Sequence, residues 1–213
     1  MNHFTTTLVT SEADIFSRFS TFTRLLRVVA YCFRFMNKAR RKDRPETLSV
    51  TINDALTTAE LRHAELTLAR LAQSGYFQAE LRALHSKSTL PQSSHLQSLN
   101  VLLDADGVIR VNGRLANAAL DYDKKHQILL PSRHLFTRLL IEHEHARLLH
   151  AGPQQVAASI RERYWHLSCL NTVKRIIRTC VRCFKVRPRS IEHELSPRAV
   201  WITQVLNKGT HPR

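Results

Sequence analysis

Apolar side chains in the first forty residues recur at helical intervals. Phe16, Phe19, Leu26, Val29 and Phe33 form one stripe, and the spacing predicts a single long amphipathic helix from Ser11 to about Lys38. Ser11 suits the N-cap, and Glu12 and Asp14 fall in the first turn, where carboxylates favour the positive end of the helix dipole. The charged run Asn37-Lys-Ala-Arg-Arg-Lys-Asp-Arg-Pro45 ends it and reads as a solvated linker. A second helix is expected from about Thr58 to His85. Thr57 and Glu60 have the capping-box spacing. Leu61, Leu66, Leu68, Leu71, Phe77, Leu81 and Leu84 supply its buried side, interrupted at Ser74-Gly75. Residues 86–98 bear several Ser and a Pro and read as a connector.

The period then changes. Leu99–Leu103 and Val108–Val111 are short β-prone runs around Asp104-Ala-Asp-Gly107, a hairpin signature. Gln127–Leu130 is a third strand before Pro131, and together these predict a small antiparallel sheet. Helical patterning returns at His134–Leu149, at Pro153–Tyr164, where proline is favoured at the first position, and at Leu170–Thr179. The expected fold class is α+β, mainly α: N-terminal helices, a small antiparallel sheet and a C-terminal three-helix unit. The expected segments are a basic helix and linker (1–50), a helix-plus-sheet connector (51–130), the three-helix domain (131–190) and a tail (191–213).

Composition sharpens this picture. With 213 residues and 43% apolar side chains, the chain can bury a core and is neither a disordered tail nor a membrane protein. Its formal charge is +15 and unevenly distributed: residues 51–130 carry eight basic and eight acidic groups, residues 131–213 fifteen and five. Such an excess predicts a polyanionic partner, most simply nucleic acid, with DNA bound non-specifically the expected form. The candidate phosphate contacts are Arg161, Arg163, Lys174, Arg175, Arg178, Arg182, Lys185, Arg187 and Arg189, fewer than half of which are expected to touch the strand. The N-terminus has no secretory pattern, and the apolar run Leu25–Met36 is short and interrupted by Arg27 and Arg34. An intracellular, non-secreted protein is expected, nucleus or cytoplasm left open, with no membrane partner and no small-molecule substrate.

Three short helices within about fifty residues have little core between them and call for a staple. His145-x4-His150, then 29 residues, then Cys180-x2-Cys183 supplies one: two imidazoles and two thiolates make a tetrahedral Zn²⁺ set. Five residues along a helix turn a side chain by about 140°, so His150 must leave the helix, as Ala151-Gly152-Pro153 allows. His143 shares a face with His150 but stands two turns away, about 10 Å. A retroviral zinc knuckle fails, because its third and fourth positions hold Pro188 and His193. A thiol oxidoreductase is disfavoured, since the cysteine pair is expected to close a helix rather than open one after a strand.

His145-Ala-Arg-Leu-Leu-His150-Ala-Gly, Arg161-Glu-Arg-Tyr-Trp165 and Val173-Lys-Arg-Ile-Ile-Arg-Thr-Cys-Val-Arg-Cys183 resemble the H2C2 (HHCC) zinc-binding domain of retroelement integrases. Leu25-Leu-Arg-Val-Val-Ala-Tyr-Cys-Phe-Arg-Phe35, Val108-Ile-Arg-Val-Asn-Gly-Arg-Leu115 and Lys125-His-Gln-Ile-Leu-Leu-Pro131 resemble the BEL/Pao retrotransposon polyprotein, the last two its pre-integrase connector. The resemblance spans about residues 20–190. It implies that His145, His150, Cys180 and Cys183 hold zinc, that Tyr164 and Trp165 are core aromatics, and that the domain helps an integrase assemble and engage element-end DNA.

Integration itself needs three carboxylates holding two Mg²⁺ ions. The chain has no aspartate after Asp123, and beyond Cys183 its only carboxylates are Glu192 and Glu194. Aspartic-protease, polymerase and phosphate-loop motifs are also missing from the sequence. The expected protein is therefore no enzyme: a catalytically incomplete retrotransposon-derived chain that binds zinc and nucleic acid. The alternative is a self-association or protein-interaction module, with the Phe-rich helix Phe16–Phe35 as its apolar face and a homo-oligomer as its product.

Overall fold

A computed structural model describes residues 12–40, 55–113 and 119–186, with side chains from residue 15 onward. The chain divides after Cys180 into two units. The first carries helices α1 (Glu12–Ser17), α2 (Phe22–Arg40), α3 (Thr58–Tyr76) and α4 (Gln78–His85), then strands β1 (Val101–Leu103) and β2 (Ile109–Asn112). It continues with α5 (Tyr122–Lys125), β3 (His126–Leu130), α6 (Leu135–Arg147), α7 (Pro153–Arg161), β4 (Tyr164–His166) and α8 (Cys169–Arg178). The second unit contains α9 (Val181–Val186). The α+β, mainly α class is as expected. Among the described residues no helix is long and apolar enough to cross a membrane.

The expected N-terminal helix is two helices, and packing explains the break. Phe16 and Phe22 both lie against Phe136, with ring centroids 6.0 and 5.6 Å away. Six residues along one continuous helix would separate them by about 120° around the axis. A non-helical stretch between Ser17 and Phe22 brings both rings to one partner. The second expected helix also divides, at Phe77 rather than at Ser74-Gly75, and Phe77 turns into a cluster with Leu96, Ile109, Val111 and Leu129 beneath the sheet.

The Thr57–Glu60 capping box is complete, and Arg34 of α2 extends it by gripping both Glu60 oxygens at 2.6 and 2.5 Å. The Arg34 guanidinium first, then the Thr57 amide, lower the Glu60 pKa from its ordinary 4.5 to about 2. A depressed carboxylate pKa contributes stability that is present above 4.5 and lost as pH falls from there through 2. Carboxyl ¹³C NMR tests this. The Glu60 resonance should stay at its ionised position down to about pH 3.5, where an ordinary Glu is mostly protonated; a midpoint near the ordinary value would show that the pair does not form in solution.

The sheet is mixed, correcting the expected antiparallel one. Its order is β1-β2-β3-β4. β1–β2 is the foreseen hairpin, with Gly107 at φ +72°, and β3 joins it antiparallel. The fourth strand was not foreseen. It pairs parallel to β3, Ile128 opposite Tyr164 and Leu130 opposite His166. A parallel pair needs a crossover connection, and α6 and α7 supply it. The expected helix Pro153–Tyr164 accordingly stops at Arg161, and after a short turn the chain is strand from Tyr164.

Two buried polar groups fasten this sheet. Gln73 of α3, fully buried, bonds the N–H of Ile109 at 2.7 Å and the carbonyls of Ile109 and Leu129 at 2.9 and 2.7 Å. These groups lie one residue beyond the last β2–β3 pair, so the side chain prolongs the ladder. Arg110, 2% exposed, meets Asp104, the Asp123 carboxylate at 2.9 Å and the His126 carbonyl at 2.8 Å. Asp123 also accepts from Arg62, which reaches Glu65, and Glu65 takes Arg163 at 2.7 Å and the Tyr164 hydroxyl. Three carboxylates and three guanidiniums thus balance along a chain from the hairpin to β4.

Candidate metal centre

α6 begins where the His134 ring accepts from the Phe136 amide. It buries Phe136, Leu139, Leu140 and Ile141, which fixes the direction in which His145, two turns on, enters the interior. The helix ends abruptly. Leu149 and His150 both adopt left-handed backbone, φ +52° and +64°, which costs non-glycine residues about 1–2 kcal/mol each. The His150 amide donates to the His145 carbonyl at 2.8 Å, and this reversal cancels the rotation a continuing helix would impose. The two imidazoles meet edge to face, His150 Nδ1 standing 3.1 Å from His145 Nε2.

Cys180 arrives from the other side. α8 buries Cys169, Val173 and Ile177 and ends at Arg178, and the Cys180 amide closes on the Ile177 carbonyl at 3.0 Å. Its Sγ lies 3.4 Å from His150 Nδ1. Cys183 sits inside α9, so the cysteine pair straddles the start of a short helix instead of closing one as expected. Taken as a set, His145, His150, Cys180 and Cys183 offer ligand atoms that all lie within 4.8 Å of one another.

This donor set fits a metal ion. Zn–N bonds of about 2.0–2.1 Å and Zn–S bonds of about 2.3 Å put neighbouring ligand atoms of a tetrahedron about 3.3–3.8 Å apart. The separations of 3.1 and 3.4 Å need only small adjustments. His145 is also oriented for ligation, because its Nδ1 faces the Ala151 carbonyl at 3.2 Å, which leaves Nε2 as the lone-pair nitrogen on the side of His150 and Cys180. Burial, then the charge of His150, lowers the His145 pKa and favours the neutral ring that a metal requires. His143 lies elsewhere, against Phe22 and the Thr23 hydroxyl.

The unit holds more core than its length suggested. Val156, Ala157 and Ile160 of α7 are buried together with the apolar faces of α6 and α8, and β4 ties the segment to the sheet. It contributes four helices to the described residues rather than three.

The candidate phosphate contacts separate into groups. Lys174, Arg175 and Arg178 are exposed on α8 within about 100° of arc, opposite its buried face. Arg161 is exposed at the end of α7, and Arg182 and Lys185 are exposed on α9. Arg163 is half-buried and paired with Glu65. Arg187 and Arg189 lie outside the described residues. What the sequence reading missed are the left-handed pair, the Ala151 carbonyl and β4; the aromatic run Tyr164-Trp165 was the available signal for the strand.

No curated protein and no solved structure matches the chain. Residues 133–189, which supply all four side chains of the cluster, match the family model of the integrase zinc binding domain, and the chain carries that domain over this stretch.

Proposed function

We propose that this chain is a non-enzymatic, zinc-held nucleic-acid-binding protein of BEL/Pao retrotransposon origin. The observation that carries the reading is the His2Cys2 cluster inside a segment matching an integrase zinc-binding domain. His145, His150, Cys180 and Cys183 would hold the ion. With four protein donors the coordination sphere is closed, as in structural rather than catalytic zinc sites. The bound ion supplies a cross-link.

The basic arc Lys174, Arg175 and Arg178 supports a phosphate-backbone interface, since α8 contains no acidic residue. Binding to duplex DNA should then weaken steeply with salt. About four phosphate contacts give a slope of about −3.6 in log K against log[salt], and each of Lys174→Ala, Arg175→Ala and Arg178→Ala should reduce it by about one. Fluorescence anisotropy on unrelated duplexes reads both quantities. A salt-independent affinity, or slopes unchanged by all three substitutions, rules the interface out. Concentration-dependent assembly without DNA binding would favour the other reading, self-association through the exposed face Val28, Tyr31, Phe35 and Met36 of α2.

A further inference from the structure

β3 delivers a short loop, residues 131–134, to the start of α6. The Thr137 hydroxyl donates to the Pro131 carbonyl at 2.7 Å, which fastens the loop to the helix it precedes, and Arg133 stands exposed on it. α8 packs against α6. Its Thr172 and Arg175, with the C-cap Thr179, fall three and four apart and so form one stripe. Between the α6 start and this stripe lies a hollow of about 400 Å³, bordered by Ser132, Arg133, Arg138, Thr172, Arg175 and Thr179 among others.

Three guanidiniums line this one space, and none of its lining residues is acidic. Among the described residues Arg133 and Arg175 form no ion pair. Arg138 bonds Glu142 at 2.7 Å, four residues along an exposed helix face, and exposed pairs of this kind are weak. The N-terminus of α6 is not the source of the site, because the His134 ring already accepts from the Phe136 amide at 3.1 Å. The side chains carry it. Ser132 and Thr172 add hydroxyls, groups that bond phosphate oxygens without reading bases. Arg175 also belongs to the exposed arc with Lys174 and Arg178, so the hollow continues that arc without an acidic interruption. The metal cluster uses none of these residues.

We propose that the hollow between the α6 start and α8 is a groove for the sugar–phosphate backbone of a nucleic-acid strand, with Arg133, Arg138 and Arg175 on its phosphates. The inference rests on the nucleic-acid reading and gives that interface a second wall. It adds Arg133 and Arg138, which the charge pattern of the sequence did not single out. A free phosphate would use the hollow alone, whereas a strand passes through it and over the α8 arc.

The test uses the full chain, a labelled duplex oligonucleotide and fluorescence anisotropy over a range of salt. Arg133→Ala and Arg138→Ala, both at exposed positions, should each flatten the salt slope by about one. Arg82→Ala, exposed on α4 and outside the hollow, should leave it unchanged. Leu135→Trp separates a groove from a mere patch of charge. Leu135 is 39% exposed and borders the hollow, so the larger ring fills the space without altering charge. It should weaken binding about tenfold, the loss of one charge-assisted hydrogen bond. If the α8 variants flatten the slope while Arg133→Ala, Arg138→Ala and Leu135→Trp behave like Arg82→Ala, the groove is discarded and the broader function stands. If Arg133→Ala and Arg138→Ala flatten it while Lys174→Ala and Arg178→Ala do not, the groove stands and the α8 arc is removed from the interface. Inorganic phosphate, titrated at fixed ionic strength, checks the source. Saturable phosphate binding lost with Arg133→Ala, in a chain that binds no DNA, assigns the hollow to free phosphate and overturns the proposal.

Discussion

A Cys180→Ser, Cys183→Ser protein is expected to emerge from purification without zinc, where the parent carries about one ion per chain. An ion held at 1,000 times its dissociation constant adds about 4.1 kcal/mol of stability. For a chain of this length that corresponds to about 8–16 °C in melting temperature, at about 2–4 °C per kcal/mol. The loss should be local before it is global. Phe136, Leu140, Ile141, Val156, Ile160, Val173 and Ile177 form a core that does not depend on the ion, so most helicity should survive at low temperature. The left-handed pair Leu149–His150 has no such support, and hydrogen exchange should rise at residues 148–151 and 179–183 first. Elemental mass spectrometry and thermal melts of both proteins decide the matter. A folded parent without metal, or a variant that melts with the parent, removes the assignment.

Arg110→Met is expected to destabilise the chain by about 3–5 kcal/mol, the usual cost of stranding one partner of a buried ion pair. Asp104, whose side chain is 4% exposed, would lose the one guanidinium it meets among the described residues, and Asp123 one of its two close ones there. Replacing Asp104 with Asn isolates the effect. The Asn carbonyl oxygen can still accept from the amides of Asp106 and Val108, which Asp104 Oδ1 holds at 3.0 and 2.8 Å, so the hairpin turn keeps its bonds. Arg110→Met should therefore cost less in the Asp104→Asn background than in the parent. Urea unfolding of the four proteins closes the cycle. Equal costs in both backgrounds would mean that the charges are not coupled. Zinc content should stay constant throughout, since no member of this network belongs to the metal cluster.

Signals carried by a few neighbouring residues were readable without coordinates. Thr57 and Glu60, and Asp104 to Gly107, depend on short spacings, as do the His145–His150 and Cys180–Cys183 pairs taken singly; that the two pairs meet across 29 residues was legible from their complementary donor types rather than from spacing. What escaped the sequence depends on distant partners. Nothing near Arg18 says that Phe16 and Phe22 share Phe136, so the break between α1 and α2 was invisible. Tyr164-Trp165-His166 is too short to mark a strand until the β3 edge, some 35 residues earlier, is there to receive it. Its direction follows from the crossover, which no local pattern encodes. The reversal at Leu149–His150 was inferable only from the demand that His145 and His150 meet, because leucine rarely adopts left-handed backbone and the modest tolerance of histidine for it marks no particular position.

The β3–β4 pairing has a consequence for anyone who wishes to cut the protein into modules. The family boundary near residue 133 falls just after β3, on the wrong side of the ladder. An excised 133–189 fragment would keep β4 but lose the strand it pairs with, together with Glu65, which holds the Tyr164 hydroxyl and Arg163. The complementary piece would expose Ile128, Leu129 and Leu130, all buried in the intact chain, along an open apolar edge, a template for aggregation. Cutting ahead of residue 58 instead, so that α3 and the sheet remain with the cluster, preserves every strand pair.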